Sequence, residues 1–267
     1  MKTRIYWFSG TGNSLHVAKR LAGGLDGPTE LVPLSHLDRV EPTSAARVGL
    51  VFPVYGWGPP NLVARAIYDG LKLEGQPRIF AVVTCAASAG GTLNTTRNIL
   101  RQSGQELSAG YVVKLPENYP PMGGPPGEEK RKNICAAAEG TIDDIIAALN
   151  AGNYSVRRAN LFLRFLSGVA GRLAANHWPK ADRKFTADDT CTRCGLCERI
   201  CPVGEIERGA DGKPTWLGRC EQCYACLHWC PVAAIQYGKK SRSQPRYHHP
   251  RIEVEDMLQA GQKSGTD

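Results

Sequence analysis

Through the first 115 residues, short apolar runs alternate with longer stretches in which apolar side chains recur every three or four positions. Such alternation is how a parallel sheet wrapped by crossover helices reads in a sequence. Strands are predicted over Arg4–Phe8, Glu30–Leu34, Val48–Phe52, Ile79–Thr84 and Tyr111–Leu115. Helices are predicted between them over Ser14–Leu25, Asn61–Leu71 and Thr92–Ser103, the first showing its apolar stripe at Leu15, Ala18 and Ala22. The stretch Pro116–Gly127 carries five prolines and three glycines and is excluded from regular structure. The alanine-rich Glu128–Leu149 then supplies a last helix, with Ile134, Ile142, Ile145, Ile146 and Leu149 available for one buried side. The pattern therefore predicts an α/β doubly wound domain of five parallel strands over residues 1–150.

Charge changes this picture in one place. Of 33 basic and 25 acidic residues, seven basic and one acidic fall within 151–185, where Leu161, Phe162, Leu163, Phe165 and Leu166 are interspersed with Arg157, Arg158, Arg164 and Arg172. This is a basic amphipathic helical linker, packed on its neighbours with its arginines in water; an acidic redox partner or a membrane surface would be the other occupants of such a face. The excess of positive charge is a feature of this one segment, which argues against a nucleic-acid interface. No window is apolar enough to span a bilayer, and the apolar run after Lys2 and Arg4 stops at Phe8, too short for a secretory signal. A cytoplasmic protein is expected, with peripheral membrane contact unfavoured; its oligomeric state is not encoded in any motif.

Eight of the ten cysteines lie between Cys191 and Cys230, a clustering that points to metal rather than to disulfides. Cys191-x2-Cys194-x2-Cys197-x3-Cys201-Pro202 recurs 29 residues later as Cys220-x2-Cys223-x2-Cys226-x3-Cys230-Pro231, with Ile206 and Ile235 at the same offset. Three soft thiolates two residues apart can converge from one curling loop on three corners of an iron–sulfur cube, whereas zinc favours paired Cys-x2-Cys knuckles. The duplicated motif resembles the bacterial two-cluster ferredoxins, in which the fourth cysteine of each motif ligates the other cube. That resemblance implies one 4Fe–4S cluster on Cys191, Cys194, Cys197 and Cys230, and a second on Cys220, Cys223, Cys226 and Cys201. His228, between Cys226 and Cys230, is expected to be an exposed histidine, and His248-His249-Pro250 part of an unengaged tail.

Ser9-Gly10-Thr11-Gly12-Asn13-Ser14 follows the first strand and opens the first helix, where backbone N–H groups and the positive helix end are free to receive a phosphate. Leu15 stands where a dinucleotide fingerprint needs its third glycine, and no Walker lysine follows. The segment resembles the flavodoxin phosphate loop, Ser/Thr-x-Thr-Gly-x-Ser/Thr, which implies FMN as the ligand. Two further loops stand where flavodoxin-like topology places them. Val54, Tyr55, Gly56 and Trp57 follow the third strand, with Tyr55 and Trp57 as candidates to lie against the isoalloxazine. Ala86, Ala87, Gly90 and Gly91 follow the fourth, a small-residue loop without the aromatic that flavodoxins often place on the other flavin face; Tyr119 is the substitute. Cys85 and Cys135 read as small apolar residues.

Taken together, the chain resembles the flavodoxin–ferredoxin fusion proteins over residues 1–150 and 186–237. The expected architecture is a flavodoxin-like FMN-binding domain over 1–150, the linker over 151–185, a small α+β two-cluster ferredoxin domain over 186–237 and a C-terminal tail over 238–267. The implied function is electron transfer between two 4Fe–4S clusters and FMN, with a redox protein as donor or acceptor. A flavin-dependent reductase of a small substrate and a redox-responsive binding protein are the alternatives; no catalytic constellation of side chains is apparent.

Overall fold

A computed structural model describes residues 1–35, 42–155 and 178–258. The first half is an α/β unit built on strands β1 (Thr3–Trp7), β2 (Thr29–Pro33), β3 (Arg47–Pro53), β4 (Arg78–Cys85) and β5 (Leu107–Lys114), all parallel. Their order is β2-β1-β3-β4-β5, the flavodoxin-like order, with its topological switch between β1 and β3. The central strands are buried on both faces, which is why β3 and β4 read as near-continuous apolar runs rather than alternating ones. Helix α1 (Asn13–Gly24) and helix α4 (Glu128–Asn150) cover one face with α1 residues Leu15, Val17, Ala18 and Leu21, and Val63, Ile67, Leu93 and Leu100 fill the other.

Two elements differ from the sequence expectation. Strand β5 begins at Leu107, four residues before the predicted start: Ser108 and Gly110 break the apolar run, yet Gly110 pairs with Ala81 of β4, Ser108 is taken up by a register shift, and the missing Gly110 side chain leaves room for Leu93. The predicted helix over 61–71 is α-helical only over α2 (Asn61–Arg65) and widens to a π-type turn over Ala66–Gly70. Helix α3 spans Thr92–Gln102. The basic linker motif lies outside the described residues.

The second half is a small α+β unit. Strand β6 (Phe185–Ala187) pairs antiparallel with β9 (Ile235–Tyr237), and β7 (Ile206–Arg208) with β8 (Pro214–Trp216); α5 (Leu196–Arg199) and α6 (Ala225–His228) are single turns. The sequence duplication is also a backbone duplication. Left-handed residues occur in pairs 29 positions apart: Arg193 and Gln222, Gly195 and Tyr224, Gly204 and Ala233. A non-glycine residue in that region costs about 1–2 kcal/mol, so the second copy keeps the loop shape against the preference of Gln222, Tyr224 and Ala233. Tyr224 is held there by a ring cluster with Phe185, Tyr237 and Tyr119.

The halves share one core. Ile200, Ala225, Trp229 and Ile252 pack in the same cluster as α1 and α4. The described part of the segment after residue 238, expected as a C-terminal tail, runs back over the α/β unit and includes α7 (Val254–Leu258), where Asp256 pairs with Lys19 of α1 and Met257 is buried. Among the described residues, no helix is long and apolar enough to cross a membrane.

Candidate functional site

A cleft of about 260 Å³ opens at the carboxyl ends of β1, β3 and β4, beside the switch point where open α/β sheets take their ligands. The first loop contributes Ser9, Gly10, Thr11, Asn13 and Ser14; the second Pro53, Val54, Tyr55 and Gly56; the third Thr84, Cys85 and Ala86. Gly12 lies behind the first loop, in a left-handed conformation that starts α1, and faces Ile252. Trp57 is outside the cleft, 41 % exposed, packed over Gly90; Ala87, Gly90 and Gly91 do not line it either. Gly56 and Trp57 both have positive φ between the mutually hydrogen-bonded Tyr55 and Gly58, a tight turn that presents Tyr55 inward and Trp57 outward.

Further walls come from the proline-rich loop, where Tyr119 is the expected aromatic, and from the second cysteine motif, which nothing in the sequence placed at this cleft. The proline-rich loop supplies Leu115, Pro116, Glu117, Asn118, Tyr119 and Met122, and the second cysteine loop supplies Gln222, Cys223 and Tyr224. Two rings, Tyr55 and Tyr119, therefore face a common space, with burial raising both phenols above their ordinary range. Among the described residues, Glu117 is the one charged group lining the cleft, its carboxylate accepting from the amides of Asn118 at 3.0 Å and Tyr119 at 2.9 Å. Among the described residues, the groups that could hold an anion here are backbone N–H groups, hydroxyls and the α1 terminus. The hydroxyls are already set: Asn118 Nδ2 donates to Thr11 Oγ1 at 2.5 Å, and Ser14 Oγ meets Thr84 Oγ1 at 2.8 Å. Because Thr11 Oγ1 accepts from Asn118, its own proton has no other acceptor among the described residues.

The cysteines form two groups. Cys191, Cys194, Cys197 and Cys230 border one cavity, so the last cysteine of the second motif joins the first three of the first. Cys201 stands beside Cys220, Cys223 and Cys226, close enough for each thiolate to raise the next. Burial is the larger effect, pushing Cys197 up to about 11 and Cys220 to about 12. Among the described residues no His, Cys, Asp or Glu side chains are grouped around a single metal ion. Backbone amides already turn toward sulfur: Glu205 N–H donates to Cys201 Sγ and Gln222 N–H to Cys220 Sγ, both at 3.3 Å.

His228 is not exposed: only 3 % of its surface is accessible, because α6 is pressed between the two halves. Its Nε2 is 2.8 Å from the Asn118 carbonyl and its Nδ1 accepts the Tyr247 amide at 3.1 Å, while burial lowers its pKa to about 4. The amide acceptance fixes the proton on Nε2. Composition gave no sign of this, since one histidine among cysteines carries no periodicity.

No protein-family model matches the sequence, and no curated protein does. Solved structures with similar folds include a flavodoxin of Streptococcus pneumoniae TIGR4, 14 % identical, covering 55 % of this chain and 99 % of its own with a TM-score of 0.35. A flavoprotein of Lactobacillus acidophilus NCFM in complex with FMN is 10 % identical over 42 % of this chain and 92 % of its own, with a TM-score of 0.34. A flavodoxin from the domain Archaea is 10 % identical over 54 % of this chain and 99 % of its own, with a TM-score of 0.33. What defines the sheet here as flavodoxin-like is its own strand order.

Proposed function

We propose that the chain is an electron-transfer protein that holds FMN in the cleft and a 4Fe–4S cluster on each cysteine group, linking an external redox protein to the flavin. One observation carries this: Gln222, Cys223 and Tyr224, from the second cysteine motif, are a wall of the cleft whose floor is the phosphate-type loop. A flavin, when bound, supplies exchange between one-electron carriers and two-electron chemistry.

The residues fit both groups. Thiolates of a cube are spread over several irons and so stand further apart than four around one zinc, in keeping with cysteines that border a common cavity without converging on a single ion. Gly10 lets the Cys223 backbone approach the first loop, and Tyr55 and Tyr119 offer flat apolar surface to a ring system. The two motifs meet different surroundings. Residues Glu221–Trp229 are buried apart from half-buried Cys223, whereas Thr192, Arg193 and Cys194 are exposed. The second motif therefore faces the flavin site, and the first presents the surface at which a soluble redox partner exchanges electrons.

Anaerobic purification followed by iron, sulfide and flavin analysis tests the proposal. The expected material contains iron and acid-labile sulfide in equal amounts with one flavin per chain, and its flavin is reduced by a one-electron donor only while the cysteine groups are intact. Zinc in place of iron, or failure to bind FMN, would overturn it.

A further inference from the structure

The four residues Gly10 to Asn13 of the phosphate-type loop are each engaged from behind, largely by the C-terminal half of the chain. Trp229 Nε1 donates to the Gly10 carbonyl at 3.0 Å, and the His249 amide donates to the Thr11 carbonyl at 2.8 Å. Ile252 fills the space next to Gly12. Tyr247 Oη donates to Asn13 Oδ1 at 2.7 Å, while Asn13 Nδ2 donates to the Pro116 carbonyl at 3.2 Å. All of these groups, Pro116 included, are buried.

The direction of these bonds matters more than their number. In a planar trans peptide the carbonyl of one residue and the N–H of the next point opposite ways, and the described chain has no cis peptide. Drawing the Gly10 carbonyl toward Trp229 therefore turns the Thr11 N–H away from Trp229, and drawing the Thr11 carbonyl toward His249 turns the Gly12 N–H away from His249. Tyr247 and Pro116 together occupy both ends of the Asn13 amide, so that side chain is not available to cap the N–H groups that open α1. A helix N-terminus leaves those donors unsatisfied until a side chain, water or anion takes them.

We propose that Trp229, Tyr247 and His249 are positioning residues for a phosphate, holding the loop's N–H donors toward the cleft so that the chain selects a phosphorylated flavin over the unphosphorylated one. This rests on the flavin reading above and assigns the orientation of the loop's donors to residues of the C-terminal half. The strap acts on the phosphate end alone, since the isoalloxazine surfaces, Tyr55 and Tyr119, belong to other loops.

The test is titration of the full chain with FMN and, separately, riboflavin, followed by flavin fluorescence, for the unsubstituted protein and for Tyr247→Phe and Trp229→Phe. Tyr247→Phe keeps the ring and removes one hydrogen bond; Trp229→Phe removes the indole N–H bond and trims the bicyclic ring to a phenyl. Affinity for FMN is expected to fall about fivefold to tenfold, the worth of one buried hydrogen bond, while riboflavin affinity moves less than about twofold on the same bookkeeping. Circular dichroism confirms that both variants are folded. Equal loss for the two ligands would reduce the strap to a structural role, and unchanged FMN binding would refute it. Equal binding of both ligands by the unsubstituted chain would end the phosphate proposal and leave the flavin site standing; binding of neither would end both.

Discussion

A methyl group placed on Gly10 would overlap the carbonyl oxygen of Cys223 and lie 3.0 Å from its carbonyl carbon. The glycine is therefore required by the second cysteine loop as much as by any phosphate, since backbone atoms on the facing side have no flexible end to move aside. Gly10→Ala is expected to destabilise the flavin-free chain by about 1–3 kcal/mol, the range for overpacking a filled site. In thermal unfolding that corresponds to a midpoint roughly 5 °C lower. A midpoint unchanged within error would mean that the two halves are not held at the spacing described.

The unequal surroundings of the cysteine motifs give a second expectation. Cys194 is exposed, whereas Cys226 is buried and Cys223 lies against the first loop. Chelators and oxygen reach a centre through solvent, so iron should leave in two phases, about half of it rapidly from the group containing Cys194. Cys194→Ser should remove the fast phase and leave the slow one. Release of all iron in a single phase would contradict the assignment of one group to the surface and one to the interior.

How much of this was legible beforehand differs by element. Strands β1, β3 and β4 announce themselves because burial on both faces makes them unbroken apolar runs, and the cysteine spacing anticipates that Cys230 joins Cys191, Cys194 and Cys197 at one cavity. The loop Ser9–Ser14 was readable, from glycines and hydroxyls at a strand-to-helix junction, as a wall of the cleft. What stayed hidden is long-range. Tyr247, His249 and His228 act through single bonds to residues 110 to 238 positions away in sequence, and no local period encodes such a partner. Trp57 misled for a related reason: its ring suits a flavin, but the positive φ of Gly56 and Trp57 turns it out of the cleft.

Glu221 sets a third test at the same junction. Its carboxylate is buried beside Asn61 and Leu62 at the start of α2, and burial raises its pKa despite the Arg65 guanidinium 2.9 Å away. Arg65 is itself mostly exposed, so its value lies in neutralising a buried charge and not in a strong surface pair. Arg65→Ala is expected to loosen the second cysteine loop, at a cost of about 1–3 kcal/mol for the charge left uncompensated. Faster hydrogen exchange over residues 219–226 would register it. If exchange there is unaltered, Glu221 is satisfied by the α2 amides alone.

His16 and His249 provide the pH dependence. Their rings stack with centroids 4.0 Å apart and 15° between planes, at 4 % and 1 % exposure, and His16 Nε2 is 2.8 Å from Glu139 Oε1. Burial lowers both, His249 to about 3; for His16, Glu139 opposes the shift while Arg251 and Arg20 add to it. An unfolded histidine titrates near 6.5. Above that value both states are neutral and the pair is indifferent to pH. Below it the unfolded chain binds protons that the folded chain refuses, so stability declines as pH falls from about 6.5 toward the folded values, by up to about 1.4 kcal/mol per pH unit for each ring. His249→Phe keeps a flat ring on His16 and removes one proton from this balance. Urea unfolding between pH 7.5 and 5 should therefore show a shallower loss of stability in the variant, by about 2 kcal/mol at pH 5. Parallel profiles for the two proteins would show that His249 takes up its proton in the folded chain as readily as in the unfolded one.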